Sequence, residues 1–310
     1  MEKRKILTIC FLALALVLCL DEVSKAVAWL EIAKLLASDG AANDVFGLSV
    51  SISGDYAIVG AGYDDDFKGS AYIFKRDGFF WKEQAKLVAS DGAAEDLFGW
   101  PVSISGDYAI VGAMGDDDIK GSAYIFKREG TSWKQEAKLV ALDGAAHDQF
   151  GWPVSISGDY TIIGADNDDD KGNCSGSAYI FKRDGTSWSQ EAKLVASDGE
   201  EWDFFGNSVS ISGDSAIVGA NCDDVNGYDS GSAYIFRREG TSWKQEAKIV
   251  ASDGVAGDNF GDPVSIIGDL AIVGAFWDDD MGYHSGSAYI FRRDGTSWSQ
   301  EAKLLVLCKD

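Results

Sequence analysis

Basic residues, histidine, proline and long apolar runs are all scarce in this chain. Against 50 Asp and Glu stand only 27 Lys and Arg, a formal charge of −23 over 310 residues. Such a surface repels phosphates, which excludes nucleic acid as a partner. It favours cations and partners with a basic surface. Histidine occurs only as His147 and His284, at loop positions that the other copies of the repeat described below fill with unrelated residues. No nucleophile and base can be paired from them. Carboxylates alone can hydrolyse glycosides, but here they recur in exposed loops with nothing to raise one pKa. The chain therefore reads as non-catalytic. No CxxC spacing is present, which removes a zinc site. No apolar run reaches the roughly 20 residues of a membrane span.

The longest apolar run, residues 6–20, follows Lys3, Arg4 and Lys5 and leads to Ala26-Val27-Ala28. A charged start, a short apolar middle and a small-x-small end describe a secretory signal peptide over residues 1–28. An uncleaved anchor is the competing reading, and the run is short for it. Cys19 follows the bulky Leu18, which fits poorly with lipid attachment. The expected location is extracellular, either secreted or at the cell surface. Removing residues 1–28 leaves Cys174, Cys222 and Cys308. Export permits disulfides, so Cys174 and Cys222 are either bridged or two free thiols.

Glycine is abundant, at 36 residues, and it punctuates a repeat. Phe-Gly pairs end at Gly47, Gly99, Gly151, Gly206 and Gly261, spaced by 52, 52, 55 and 55 residues. Each copy continues through SVSISGD or a variant, a Gly-Ala pair, an acidic loop, GSAYIF and a charged segment opening on Trp. In the second copy Val102–Ser105 alternates apolar and hydroxyl residues, as a strand does. Gly106-Asp107 is a hairpin turn. Tyr108–Ala113 is apolar throughout, as a strand buried on both faces would be. Ala123–Arg128 is a third strand. Trp133–Ala141 is a fourth, with Trp133, Gln135, Ala137, Leu139 and Ala141 expected on one side and Lys134, Glu136 and Lys138 on the other. Its charges suit an exposed sheet edge.

Four antiparallel strands every 50 residues or so describe β-propeller blades. The expected fold is all-β, with one propeller over residues 29–310 and blades starting near 46, 98, 150, 205 and 260. Stacked β units are the alternative. Trp29–Ser38 repeats the outermost strand once more, as a surplus able to cap the ring, compete for closure or self-associate. The tryptophans that open the outer strands are read as inter-blade packing rather than a carbohydrate platform. Trp100 and Trp152, near the axis, are better ligand candidates.

Phe98-Gly99, Val111-Gly112-Ala113 and Gly121-Ser122-Ala123-Tyr124 together resemble the FG-GAP repeat, the blade unit of integrin alpha-subunit propellers. That resemblance implies adhesion or surface recognition, and it implies that an N-terminal strand completes the last blade. Trp298–Leu305 already offers that strand here. Calcium-binding members carry Asp-x-Asp-x-Asp-Gly before the Gly-Ala pair, where this chain has only a tight turn. The family's calcium site is therefore not carried over by position.

Up-and-down topology puts the inter-blade loops and the loops after Gly-Ala on one face of the disc. They hold 29 of the 50 acidic residues against Lys68, Lys120 and Lys171. The opposite face carries Lys-Arg or Arg-Arg pairs such as Lys127-Arg128. Two carboxylates about 6 Å apart in water repel by only about 0.7 kcal/mol, so metal is permitted rather than required. Calcium, with six to eight hard oxygens, is the metal that fits irregular loops. The candidate ligand sets are Asp44, Asp64 and Asp66; Asp96, Asp116 and Asp118; Asp148, Asp168 and Asp170; Asp203 and Asp223 with Asp229; and Asp258, Asp278 and Asp280. A solvated acidic surface copied by duplication is the other reading.

The function expected from these features is that of an extracellular binding or adhesion module for a protein or glycan partner. A structural module of a larger assembly and a carbohydrate-binding propeller are the alternatives.

Overall fold

A computed structural model describes residues 31–305, and Leu35 onward forms one compact unit. The proposed signal segment, residues 1–28, and Cys308 lie outside the described residues. Five antiparallel sheets of four strands follow one another along the chain, each in sequence order. Blade 1 is β1 (Val50–Ser53), β2 (Tyr56–Ala61), β3 (Ser70–Asp77) and β4 (Phe80–Leu87). Blade 2 is β5 (Val102–Ser105), β6 (Tyr108–Ala113), β7 (Ser122–Glu129) and β8 (Ser132–Leu139). Blade 3 is β9 (Val154–Ser157), β10 (Tyr160–Ala165), β11 (Ser177–Asp184) and β12 (Ser187–Leu194). Blade 4 is β13 (Val209–Ser212), β14 (Ser215–Ala220), β15 (Ser232–Glu239) and β16 (Ser242–Ile249). Blade 5 is β17 (Phe260–Ile267), β18 (Leu270–Ala275), β19 (Ser287–Asp294) and β20 (Ser297–Leu305). The architecture is the five-bladed all-β propeller the repeat predicts.

The core lies between blades. At each of the four joints the trailing face of one sheet is buried on the leading face of the next. Ile110, Ile125 and Leu139 of blade 2 pack on Val154, Ile156, Ile163 and Tyr179 of blade 3. Burying each such isoleucine stabilises the pair by about 2 kcal/mol. The hydroxyls of the inner strands serve the same joint. Ser51, Ser103, Ser155 and Ser210 accept the backbone N–H of Ile104, Ile156, Ile211 and Ile266 of the next blade, at 3.1, 3.3, 3.2 and 3.2 Å.

The outer strands depart from the expected alternation. A register shift between Ile125 and Phe126 sets Ala137 opposite Ile125 and Gln135 opposite Phe126, which leaves Glu136 unpaired in a bulge. The extra residue inverts the phase of the strand. Trp133 therefore packs toward blade 1, while Ala137, Leu139 and Ala141 pack toward blade 3. Trp133, Trp188, Trp243 and Trp298 sit between blades, as expected. Trp133 donates to Gln84 and stacks edge-on to Tyr56, at 3.2 and 6.1 Å.

The surplus strand is absent among the described residues. Residues 31–37 adopt no strand, since no third strand of a blade of their own stands beside them to pair with. Leu35 and Ala37 instead cover part of the leading face of blade 1 with Phe46. Ser38 N–H donates to Glu83 at 2.8 Å, the place that Ser90 N–H and Gln135 hold at the next joint.

Backbones nearly touch at the joints. A Cβ on Gly112 would lie 2.0 Å from the Gly151 carbonyl oxygen, whereas one on Gly130, with φ of +66°, would meet nothing. Gly112→Ala should therefore lower the urea midpoint by an amount equivalent to about 3 kcal/mol. Gly130→Ala should cost only the left-handed backbone term, about 1 kcal/mol. Equal losses would contradict this packing.

Candidate functional site: the acidic loop face

Both sets of acidic loops meet at one end of the molecule, and each blade brings them together on a lysine. Lys86 lies 2.6 Å from Asp39 and 2.7 Å from Asp64. Lys138 joins Asp91 and Asp116 at 2.8 and 2.6 Å, and Lys193 joins Asp143 and Asp168 at 2.8 and 2.9 Å. Lys248 joins Asp198 and Asp223 at 2.8 and 2.7 Å, and Lys303 joins Asp253 and Asp278 at 2.9 and 2.8 Å. A tyrosine from the third strand donates to the buried carboxylate in every case. Tyr72, Tyr124, Tyr179, Tyr234 and Tyr289 reach Asp64, Asp116, Asp168, Asp223 and Asp278 at 3.2, 3.0, 2.7, 2.7 and 2.9 Å.

These lysines come from the outer strands, which the sequence places on a solvated edge. The loop face thus carries five more cations than Lys68, Lys120 and Lys171 alone. Burial pulls the Asp223 carboxyl up, but hydrogen bonds from Lys248, Ser232 and Tyr234 outweigh it and hold it below the ordinary range. Asp198 is likewise held low, against burial, chiefly by Lys248.

The sequence-predicted ligands fall into three groups. Asp64, Asp116, Asp168, Asp223 and Asp278 are buried on the lysines. Asp44, Asp96, Asp148, Asp203 and Asp258 are also buried, each accepting the backbone N–H three residues earlier, at 2.5 to 2.8 Å. Burial raises the carboxyls of Asp96, Asp148 and Asp258, and pushes Asp203 to about 6. Asp66, Asp118, Asp170 and Asp280 are exposed. Asp170 and Asp280 join the lysine of their blade. Asp66 and Asp118 turn away, because the loops Asp64–Phe67 and Asp116–Ile119 are tight turns with left-handed backbone at Asp65, Asp66, Asp117 and Asp118 rather than extended segments. In the fourth blade, Asp229 lies beside Cys222 and, after burial, is the next largest influence raising that thiol, to about 12. Cys174 and Cys222 are both free thiols.

As placed, the donors do not compose a calcium shell. Two carboxylates and a phenol share an ammonium, where calcium needs six or more oxygens. Among the described residues, no three carboxylate, imidazole or thiol groups are grouped to hold a metal.

A second feature lies near the inner strands, where the copies diverge. The residue after Phe-Gly is Leu48, Trp100, Trp152, Asn207 or Asp262, and after Gly-Ala it is Gly62, Met114, Asp166, Asn221 or Phe276. Trp100 and Trp152 are half-buried and meet edge-on at 5.1 Å. Burial pushes the Asp166 carboxyl up to about 7, its own backbone N–H opposes this, and Asp262 adds to it. Asp166 Oδ1 has no hydrogen-bond partner. Variation within an otherwise uniform repeat was the signal for Asp166.

The FG-GAP repeat matches residues 29–74, 81–126, 133–181, 188–236 and 243–291. The chain belongs to the FG-GAP repeat family. FG-GAP proteins are typically extracellular and their propellers typically mediate interactions rather than catalysis. No curated protein matches the chain. No described helix is long and apolar enough to cross a membrane.

Two measurements check the electrostatics. Lys248→Met leaves Asp223 buried without its cation and should cost about 3 kcal/mol at pH 7. Because Asp198 and Asp223 are held low, the stability they contribute is present above the ordinary carboxylate pKa and lost as pH falls through their lowered values. The gap between variant and wild type in denaturant melts should therefore close below about pH 4. Asp166 has the opposite sign: its raised pKa supports the fold below about pH 4 and opposes it progressively up to about pH 7. Asp166→Asn should melt higher than wild type at pH 8 and level with it at pH 4.

Proposed function

We propose that this FG-GAP propeller is a secreted, non-catalytic binding module that docks a partner with a basic surface on its acidic loop face. The observation that supports this is the division of the carboxylates. Asp64, Asp116, Asp168, Asp223 and Asp278 are neutralised by lysine, while Asp65, Asp117, Asp169, Asp224 and Asp279 at the tips are exposed. The inner tier fixes the loops, and the outer tier presents negative charge to approaching cations, which raises association rates. A lysine-rich probe peptide should bind with an affinity that falls steeply with salt. Changing Asp65 and Asp117 to asparagine, which tolerates their left-handed backbone, should weaken that binding several-fold and leave the melting temperature unchanged. Salt-independent binding, or none, would remove this reading.

Calcium belongs to the proposal only as an ion that displaces the lysines. Melts in EDTA, millimolar calcium and magnesium at matched ionic strength test it: specific binding raises the midpoint with calcium above magnesium, and equal shifts mean screening alone. A glycan ligand is favoured by one separate observation. A cleft of about 630 Å³ between loops of blades 3 and 4 sets Trp202 and Tyr228 beside Asp203, Asp223 and Asp229, and both rings are exposed, at 52% and 73%. A glycan array without hits would remove it.

A further inference from the structure

The two end blades each leave much of one face uncovered. Val102 and Ile104, on the leading face of blade 2, are 5% exposed, but their counterparts on blade 1, Val50 and Ile52, are 66% exposed. On trailing faces, Ile58, Ile110, Ile162 and Ile217 are wholly buried, whereas Ile272 of blade 5 is 41% exposed. Beside Ile272 runs an apolar groove of about 610 Å³, bounded by Val264, Gly274, Gly286, Ala288 and Leu304.

Inside the chain that groove is always filled, and by the same stretch. A Cβ on Gly69, Gly121, Gly176 or Gly231 would lie within 2.0 Å of the carbonyl oxygen of Phe98, Phe150, Phe205 or Phe260 of the following repeat. Gly286, the fifth member of that series, meets only its own blade's Phe276. Gly99 likewise lies against Ser70, while a Cβ on Gly47 would meet nothing. Ser265 stands where Ser51 accepts the Ile104 N–H, and it is the acceptor left over at the end of the series.

From this we infer that blade 5 of one molecule receives the leading face of blade 1 of a second copy, with Phe46–Ile52 lying in the groove. The contact is head to tail: it repeats the inner-strand part of the joint already made four times within the chain, and each added copy presents the same free faces again. It also removes two exposed apolar faces from water, the usual signature of an association surface. The repeat gives Leu35 and Leu304 equivalent places in such a joint. The two molecules therefore meet along the inner strands, β1 against β17 and β18, and their outer strands stay apart. This surface lies on the faces of the end blades, away from the acidic tips, and it stands independently of any partner bound there.

Light scattering on the full chain tests it. Wild-type mass should rise with concentration above that of a monomer. Ile52→Asp blocks the head and Ile272→Asp the tail. Both residues are exposed, so circular dichroism should show either variant folded. Each variant alone should remain a monomer at every concentration. Mixed in equal amounts, they should form a dimer and nothing larger, because one good head and one good tail remain. A wild type that is monomeric throughout, a single variant that still associates, or a mixture that stays monomeric would each overturn the inference.

Discussion

Everything in this fold depends on how closely one sheet lies on the next. A four-stranded blade is apolar on both faces and cannot hide either by itself, so stability is collective. The joints are tight enough that backbone meets backbone, through pairs such as Gly112 with Gly151 and Gly121 with Phe150. The Phe-Gly signature is the mark of that approach. The phenylalanine fills the gap between blades, Phe98 against Tyr124 and Phe126 at 5.5 and 5.9 Å, and the glycine after it lets the next strand pass.

The same closeness explains the charge pattern. Loops drawn together by tight joints bring carboxylates together, and an ammonium from the outer strand lies between them in all five blades. The lysine is a counter-ion built into the chain. It lies over the ring of the tyrosine that shares its carboxylate, as Lys138 does over Tyr124 at 5.3 Å. The face is thus less negative than its acidic count alone implies, and the charge that remains is concentrated at the tips.

Much of the architecture was legible because it rests on short-range patterns. Alternation at Val102–Ser105, the Gly106-Asp107 turn and the Phe-Gly spacing each report a local backbone state, and together they define a blade. What was not legible depended on one extra residue or on a distant neighbour. The bulge at Glu136 inverts a strand, yet Gln135 and Glu136 are both polar, so no break in hydropathy marks it. Lys138 sits in a charged strand and reads as solvated. Only the fold brings Asp91 and Asp116 over its edge. The acidic loops read only as irregular connections, but left-handed turns at Asp117 and Asp118 send one carboxylate inward and two outward. The surplus strand failed for a simpler reason: a copied strand sequence becomes a strand only where a ladder is offered to it.

The repeat in the sequence and the blade in the structure are out of step. From the second onward, each matched unit opens with the outermost strand of one sheet and closes with the third strand of the next. Excising any single unit would therefore leave every surviving sheet with its full set of strands, because the cut removes an outer strand and the splice supplies another. A gene encoding such a chain can gain or lose units by slippage between near-identical stretches and still yield whole sheets. Length is the property of this protein most free to drift.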